Sequence, residues 1–357
     1  MAKSVITIGK RKIGQGFPCF IVAELSGNHH QSYDKAVELI HAAAKAGCDA
    51  VKLQTYTPDT ITVKSNKKWF VVGGEETPEV WKGKTLHDLY QTAYTPWKWQ
   101  PKLKKNAENL GLILFSAPFD ETAVNFLEKM DIPCYKVGSY EVTHIPLLKR
   151  IAKTRKPVIM SIGFATLNEI EEAVKTLRKN GTQELAILHC LTTYSKNPKP
   201  EDANLATIQD IEKRFKVAPG FSDNNAGIET AIAAVMVGAK IIEKHFIISR
   251  AEGGSDAHFS IEPEEMQEMI KTIRTYEKSF GRVSYGPANK AEKEKRSFRQ
   301  SVWAIDYIKK GEKLTEEKVK VRRPAVGLEP KYYEQVLGKI AKVDIELGTP
   351  ITRDLLE

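Results

Sequence analysis

No apolar run in the sequence approaches the roughly 20 residues that a membrane-spanning helix needs. The opening segment, MAKSVITIGKRKIGQG, also lacks the apolar stretch of about 7–15 residues that marks a secretory leader. A soluble, cytoplasmic protein with no membrane partner is therefore expected. Cysteine is scarce. The four residues Cys19, Cys48, Cys134 and Cys190 form no CxxC pair, and each sits in or beside an apolar stretch. Buried free thiols are expected. No GxGxxG follows the first apolar run, which argues against an open dinucleotide-binding sheet. RNP, zinc-finger and helix-turn-helix signatures are missing too, although the formal net charge is +9. The densest basic run, Lys290 to Arg299, alternates with glutamates and reads as a solvated face or linker. No nucleic-acid partner is expected.

What is present is ordinary globular composition, 41% hydrophobic and 28% charged over 357 residues. That length suits one large domain, or one large and one small. Eight short apolar, β-branched runs recur: FIVAEL (20–25), DAVKLQ (49–54), LILFSA (112–117), CYKVGS (134–139), PVIMSIG (157–163), LAILHC (185–190), VAPGFSD (217–223) and KIIEKHF (240–246). They are too short for helices and read as buried parallel strands. Helical patterns separate them. Thr166 and Glu169 form a capping box for a helix ending near Gly181, and Asp34 to Ala46 carries helical apolar spacing that stops at Gly47. Thr95-Pro96 reads as a cap with proline at the first helical position. Eight strand–helix units predict an α/β fold, a (β/α)8 TIM barrel, over residues 1–281.

The connection from Thr55 to about Tyr94 is long and rich in tryptophan and glycine, and reads as an ordered lid over the barrel mouth. After Gly281 the pattern changes. Residues 282–297 are polar and basic and read as a linker. Residues 298–357 form a small unit, in which Ile308-Lys-Lys-Gly311 and Ile345-Glu-Leu-Gly348 suggest short strands with turns.

In such barrels the chemistry sits at the C-terminal ends of the strands. Those ends carry Glu24, Ser26, Asn28 and His29; Lys52 and Gln54; Ser116; Lys136, Ser139 and Glu141; Ser161; His189 with Thr192 and Tyr194; Ser222, Asp223 and Asn224; and Glu243 and His245. A polar group in an apolar strand costs stability unless satisfied. One alone proves little, but polar tips on all eight runs point to a site. Two lysines and several hydroxyls suit a small oxyanion such as phosphate. Glu24, Glu141, Glu243 and Asp256 are acid–base candidates. His245 is either a metal ligand or a satisfied strand histidine.

Five segments together resemble the sialic acid synthase family: Ala23-Glu-Leu-Ser-Gly-Asn-His29, Val51-Lys-Leu-Gln-Thr55, Tyr135-Lys-Val-Gly-Ser139, Gly220-Phe-Ser-Asp223 and Glu243-Lys-His-Phe246. Arg322-Arg-Pro324 extends the likeness into an antifreeze-like (SAF, β-clip) tail domain. The lid segment Trp81-Lys-Gly-Lys-Thr-Leu-His-Asp-Leu-Tyr90, the stretch Gly253-Gly-Ser-Asp-Ala-His-Phe-Ser260 and the tail Gly327-Leu-Glu-Pro-Lys-Tyr-Tyr333 are most similar to the pseudaminic branch. The resemblance implies condensation of phosphoenolpyruvate with an acylated amino-sugar aldose to give a nonulosonic acid and phosphate. The neuraminate and legionaminate reactions, and a metal-impaired homologue without activity, are the alternatives.

By position, the family pattern assigns Lys52, Lys136, Ser139, Ser161 and Ser222 to phosphoenolpyruvate, with Ser116 in the same cradle. It assigns Glu24, Tyr194, Glu243, Asp256 and Arg323 to the sugar, and Glu141 to water or proton transfer. A divalent metal, manganese or magnesium, is implied at His245 and Asn224. The family pattern also implies a homodimer whose tail domain swaps over the partner's barrel, bringing Arg323 to the other site. Three positions depart from that pattern: Asn224 stands where a metal-binding histidine is usual, Ala117 where a hydroxyl residue is common, and Thr192 where Asn or Ser is common. His258 or His29 would be the substitute imidazole. Oxygen ligation by Asn224 would favour magnesium or manganese over softer ions.

Overall fold

The computed structural model describes residues 5–74, 77, 81–194 and 199–357. They form two compact units, Met1–Phe280 and Gly281–Glu357. No helix among the described residues is long and apolar enough to cross a membrane.

The first unit opens with an antiparallel hairpin, β1 (Ile6–Ile8) and β2 (Arg11–Ile13). Eight parallel strands follow: β3 (Phe20–Glu24), β4 (Ala50–Thr55), β5 (Ile113–Pro118), β6 (Tyr135–Val137), β7 (Val158–Ser161), β8 (Leu185–Leu191), β9 (Ala218–Asp223) and β10 (Ile241–His245). They pair in sequence order, and β10 closes onto β3. Each coincides with one of the eight apolar runs, with β4, β5 and β8 reaching one residue past the run's end.

Helix boundaries follow local chemistry. Thr166 and Glu169 form the expected capping box on the helix Leu167–Lys179. The helix Tyr33–Ala46 starts at Ser32, whose side chain accepts from Lys35 N–H, and stops at Gly47 with φ 93°. That left-handed conformation is open to glycine at little cost. The expected cap at Thr95-Pro96 is corrected. Pro96 leads into a 3-10 turn, Trp97–Trp99, and the α-helix starts only at Gln100. Thr95 is buried and its Oγ1 meets His29 Nε2 at 3.0 Å, so its hydroxyl is committed elsewhere.

Helices pack outside the barrel through two large apolar clusters. A third cluster fills its interior, with Phe20, Val22, Ala50, Phe115, Cys134, Ile159, Ala186, Leu188, Ala218 and Ile241. Ile6, Ile8 and Ile13 of the hairpin join that interior cluster, so the hairpin plugs the N-terminal end of the barrel. All four cysteines are buried free thiols.

In the second unit, β11 (Ser301–Ala304) pairs antiparallel with β12 (Val319–Arg322). An isolated bridge joins Ile308 to Ile345, within the two segments expected to form short strands. The stretch read as a linker carries a short helix, Lys290–Lys295, with its N-terminus capped by the Asn289 side chain. A Lys290–Glu294 pair at 3.8 Å adds i,i+4 support. Local capping and charge pairing order a segment that has no apolar face.

One glycine tests the barrel packing. A Cβ on Gly220 would lie 2.3 Å from Leu188 Cδ2 and 2.7 Å from the Ile241 carbonyl oxygen. Gly220→Ala should therefore cost about 1–3 kcal/mol by overpacking. A denaturation midpoint identical to wild type would refute this account of the barrel wall.

Candidate active site

Strand alternation sets which side chains enter the barrel. The interior apolar layer contains Val22, Ala50, Phe115, Cys134, Ile159, Leu188 and Ile241. Two residues further along each strand, on the same face, stand Glu24, Lys52, Ala117, Lys136, Ser161, Cys190 and Glu243. Ser222 and His245 share this phase on β9 and β10. An apolar floor therefore gives way to a charged and hydroxylated layer at the C-terminal mouth.

The charges there are interlocked. Lys52 Nζ contacts a Glu24 carboxylate oxygen and lies 3.5 Å from Glu243 Oε1. Lys136 Nζ lies 3.8 Å from the same Glu243 oxygen and donates to Ser161 Oγ at 2.6 Å. Ser222 Oγ donates to Glu243 Oε1 at 3.1 Å. Gln54 Nε2 and the Ser26 N–H donate to Glu24 Oε1 at 3.3 and 2.9 Å. Burial works against the Lys52 ammonium, but Glu24 and Glu243 outweigh it and hold the group above its ordinary pKa. For Lys136 burial wins over Glu243, and the ammonium is lowered. The Glu243 Oε2 atom is buried without a hydrogen-bond partner.

Beyond β6, Ser139 is buried and Glu141 half-buried. Desolvation raises the Glu141 carboxyl to about 7, with Lys136 partly opposing. A Cβ on Gly138 would lie 2.4 Å from Glu141 Oε2, so any larger residue there would displace that carboxylate. Ser26 Oγ meets His245 Nδ1 at 3.2 Å. Burial, then Lys52, Lys244 and Lys136, push the His245 imidazole well below its ordinary pKa and keep it neutral. Tyr194 packs its ring edge-on against Trp81 at 5.7 Å, near His245 at 6.3 Å and against Phe259 at 5.1 Å. Trp81 Nε1 donates to the Ser255 carbonyl at 3.0 Å, which ties the lid to the loop after β10. In the same lid Trp69 is 65% exposed. Residues 75, 76 and 78–80 of the lid lie outside the described residues. Asp256 Oδ2 accepts from Gly27 N–H at 3.3 Å, beside the β3 loop.

Several residues singled out from the sequence are placed elsewhere. Ser116 does not enter the mouth. Its Oγ pairs with Thr55 Oγ1 at 2.6 Å, and Thr55 donates to Gln100 on an outer helix. Ala117 occupies the inward position next to it. His189 also faces outward, with Nε2 on the Ala203 carbonyl at 2.8 Å. Asp223 and Lys244 form a buried outward-facing pair at 3.0 Å. Asp223 Oδ1 also accepts from the backbone N–H of Asn225. Arg323 is exposed in the second unit, just after β12.

For a metal, the donor set is sparse. Among the described residues no three His, Cys, Asp or Glu side chains converge. Asn224 is buried with Nδ2 on Cys190 Sγ at 3.5 Å, which leaves its carbonyl oxygen for another partner. His29 offers no substitute: Nε2 engages Thr95 and Nδ1 accepts from Gln31 N–H. His258 Nε2 is on the Tyr194 carbonyl at 3.2 Å. The unpartnered Glu243 oxygen, the neutral His245 and the Asn224 carbonyl are nonetheless hard or borderline donors that fit magnesium or manganese.

Sequence reasoning missed Cys190, whose inward phase follows from Leu188. It also missed Gly138 and Gly163, which lie where side chains crowd. A Cβ on Gly163 would come within 2.7 Å of Ser139 Oγ and 2.9 Å of Thr192 Cγ2.

The fold and this mouth define a class: a (β/α)8-barrel synthase that handles an anion, followed by an SAF domain. A sequence model of the NeuB family matches residues 39–285, and one of the SAF domain matches residues 299–357. The chain belongs to the NeuB family. It is 38% identical to pseudaminic acid synthase of Campylobacter jejuni subsp. jejuni serotype O:2, over 92% of this chain and 94% of the relative. It is 36% identical to the Helicobacter pylori pseudaminic acid synthase, over 95% of this chain and 98% of the relative. The crystal structure of N-acetylneuraminic acid synthetase from Leptospira borgpetersenii, in complex with citrate, matches with a TM-score of 0.72 and 31% identity. It covers 82% of this chain and 95% of that one.

The placement of Ser116 has a direct test. Ser116→Ala should cost about 1–3 kcal/mol in denaturant unfolding, because Thr55 loses a buried partner. It should leave the affinity for phosphoenolpyruvate unchanged. A weakened affinity would return Ser116 to the mouth.

Proposed function

We propose that the protein condenses phosphoenolpyruvate with the open-chain aldehyde of an acylated amino sugar, releasing phosphate and a nonulosonic acid. The sugar is 2,4-diacetamido-2,4,6-trideoxyaltrose and the product pseudaminic acid, a C–C bond-forming transfer. The observation that carries this is the buried pair of ammonium groups, Lys52 and Lys136, in the mouth of a NeuB-family barrel. The pseudaminic acid synthases among its relatives support the choice of sugar.

Phosphoenolpyruvate carries its negative charge on carboxylate and phosphate. Lys52, Lys136, Ser139, Ser161 and Ser222 receive those groups, exchanging contacts with Glu24 and Glu243 for contacts with the ligand. The π electrons between C2 and C3 form the new bond to the aldehyde carbon. The aldehyde oxygen takes a proton and becomes a hydroxyl. Water adds at C2, the C2–O bond to phosphorus-bound oxygen breaks, and inorganic phosphate leaves. Glu141, held protonated up to about pH 7, is the proton donor. Glu24, Tyr194, Glu243 and Asp256 hold the sugar.

His245 and Asn224 would hold manganese or magnesium, which when bound supplies Lewis-acid polarisation of the aldehyde. Ser26 Oγ lies 3.2 Å from Nδ1 and would orient the imidazole so that Nε2 is presented as the ligand atom. The tail domain would act on a second copy in a homodimer, with Arg323 completing the partner's sugar site. The reaction belongs in the cytoplasm, where phosphoenolpyruvate is made.

Two measurements test this reading. With phosphoenolpyruvate, manganese and 2,4-diacetamido-2,4,6-trideoxyaltrose, the full chain should release phosphate stoichiometrically with product. No phosphate with any acylated aldose would overturn it. Separately, Glu141→Gln should lower kcat by about 10²–10⁴-fold. A donor must carry its proton, so wild-type kcat/KM should fall as pH rises through about 7. That limb should vanish in the variant; its survival would remove Glu141 from proton transfer.

A further inference from the structure

Two large aromatic side chains at the barrel mouth are not accounted for by this chemistry. Tyr140 is 62% exposed and Phe164 is 58% exposed. Their rings meet edge-to-face, 5.0 Å between centroids at 64°. Each sits on a loop that leaves a catalytic strand end: Tyr140 lies between Ser139 and Glu141, and Phe164 three residues beyond Ser161. Gly163 brings the two loops together, since its backbone approaches Ser139 too closely for any Cβ. The Phe164 loop is thereby seated against the residue before Tyr140.

A contiguous exposed aromatic patch beside a binding mouth marks a candidate recognition surface. This pair also continues an aromatic surface. The hydroxyls of Tyr140 and Tyr194 lie near enough to influence each other's ionisation. Tyr194 in turn contacts Trp81, Phe259 and His245. The surface therefore runs from His245 outward through Tyr194 to Tyr140 and Phe164. Tyr140 follows β6, which carries Lys136, and Phe164 follows β7, which carries Ser161, so the pair stands just beyond the strand ends that would take the charged reactant.

We infer that Tyr140 and Phe164 form a platform that selects an acylated, deoxygenated sugar over a more hydroxylated one. This rests on the reaction proposed above and deepens it. A hexose that bears a methyl group at C6 and two acetamido groups presents more apolar surface than N-acetylmannosamine. Aromatic faces gain by covering those methyl groups and gain little from a hydroxyl, which loses water when it is covered. Lys52 and Lys136 would receive phosphoenolpyruvate, the reactant common to both sugars, so the platform is read out in the choice of aldose.

The test compares two aldoses on the full chain, by phosphate release with phosphoenolpyruvate in excess. In the double variant Tyr140→Ala/Phe164→Ala, kcat/KM for the diacetamido-trideoxy sugar should fall about 10–200-fold, the range for a lost apolar contact in a specificity pocket. The value for N-acetylmannosamine should change far less, and the KM for phosphoenolpyruvate should not move. Tyr140→Phe keeps the ring and should retain the preference. Equal losses on both sugars, an unchanged ratio, or a full loss in Tyr140→Phe would each overturn the platform. The wild-type control separates the two proposals. If wild type releases no phosphate with any acylated aldose, the reaction itself fails; if it does and the ratio survives the substitutions, only the platform fails.

Discussion

Burying two ammonium groups in one barrel mouth is the constraint on which the rest of this structure turns. An unpaired buried ammonium is costly enough that it would lose its proton or unfold its surroundings. Here Lys52 and Lys136 share the carboxylates of Glu24 and Glu243, and Ser161 and Ser222 fill further hydrogen-bonding positions. The pairing is unequal. Lys52 is gripped by two carboxylates and stays firmly charged, whereas Lys136 reaches Glu243 only at 3.8 Å and is depressed by burial. An incoming phosphate or carboxylate therefore gains most from Lys136 and from the hydroxyls around it. At Lys52 it must compete with Glu24. In the proposed reaction that would set Glu24 and Glu243 free to accept hydrogen bonds from the sugar, so that the carboxylates holding the resting site together would become its ligands.

That arrangement is possible because the barrel is filled below it. The hairpin isoleucines and the interior layer from Phe20 to Ile241 close the floor. The mouth is thus a polar layer on an apolar one. Outside the wall, Lys244 and Asp223 form a second buried pair, and Asp223 also receives the Asn225 N–H. This outer pair fixes the backbone on either side of Asn224 and sets how the β9 loop enters the mouth.

The strands, their order and most of the mouth were legible in the sequence because a parallel barrel strand is buried on both faces. It therefore writes a continuous apolar run ending in polar residues. The same property hid the phase of each strand. Ser116 and His189 looked like mouth residues because they end apolar runs, yet both fall on the outer face. The inward set could have been found by counting in twos from the lysines and matching the registers. The pairing Leu53 to Ser116 and Val51 to Leu114 shows that Ser116 is in step with outward residues. Thr95 failed for a different reason: a local capping signal gave way to a tertiary hydrogen bond from His29, which no window of sequence contains. The glycines at 138 and 163 are conspicuous only when the Glu141 carboxylate and the Ser139 side chain are placed beside them.

The departure at Asn224 is best understood through charge. A histidine there would add a second titratable imidazole to a site in which His245 is already held neutral by burial and by three lysines. Asparagine places a neutral dipole at the same point, anchored by its amide on Cys190 Sγ. In the proposed metal site it would give up nitrogen ligation, and with it affinity for softer ions, while its carbonyl would serve magnesium or manganese. That cost would be offset if the cation also met the uncommitted Glu243 Oε2. A cation at this position and the ammonium of Lys52 would then compete for Glu243. In the proposed reaction phosphoenolpyruvate would draw Lys52 away and leave Glu243 freer for the metal, so anion and cation would reinforce each other through one shared carboxylate.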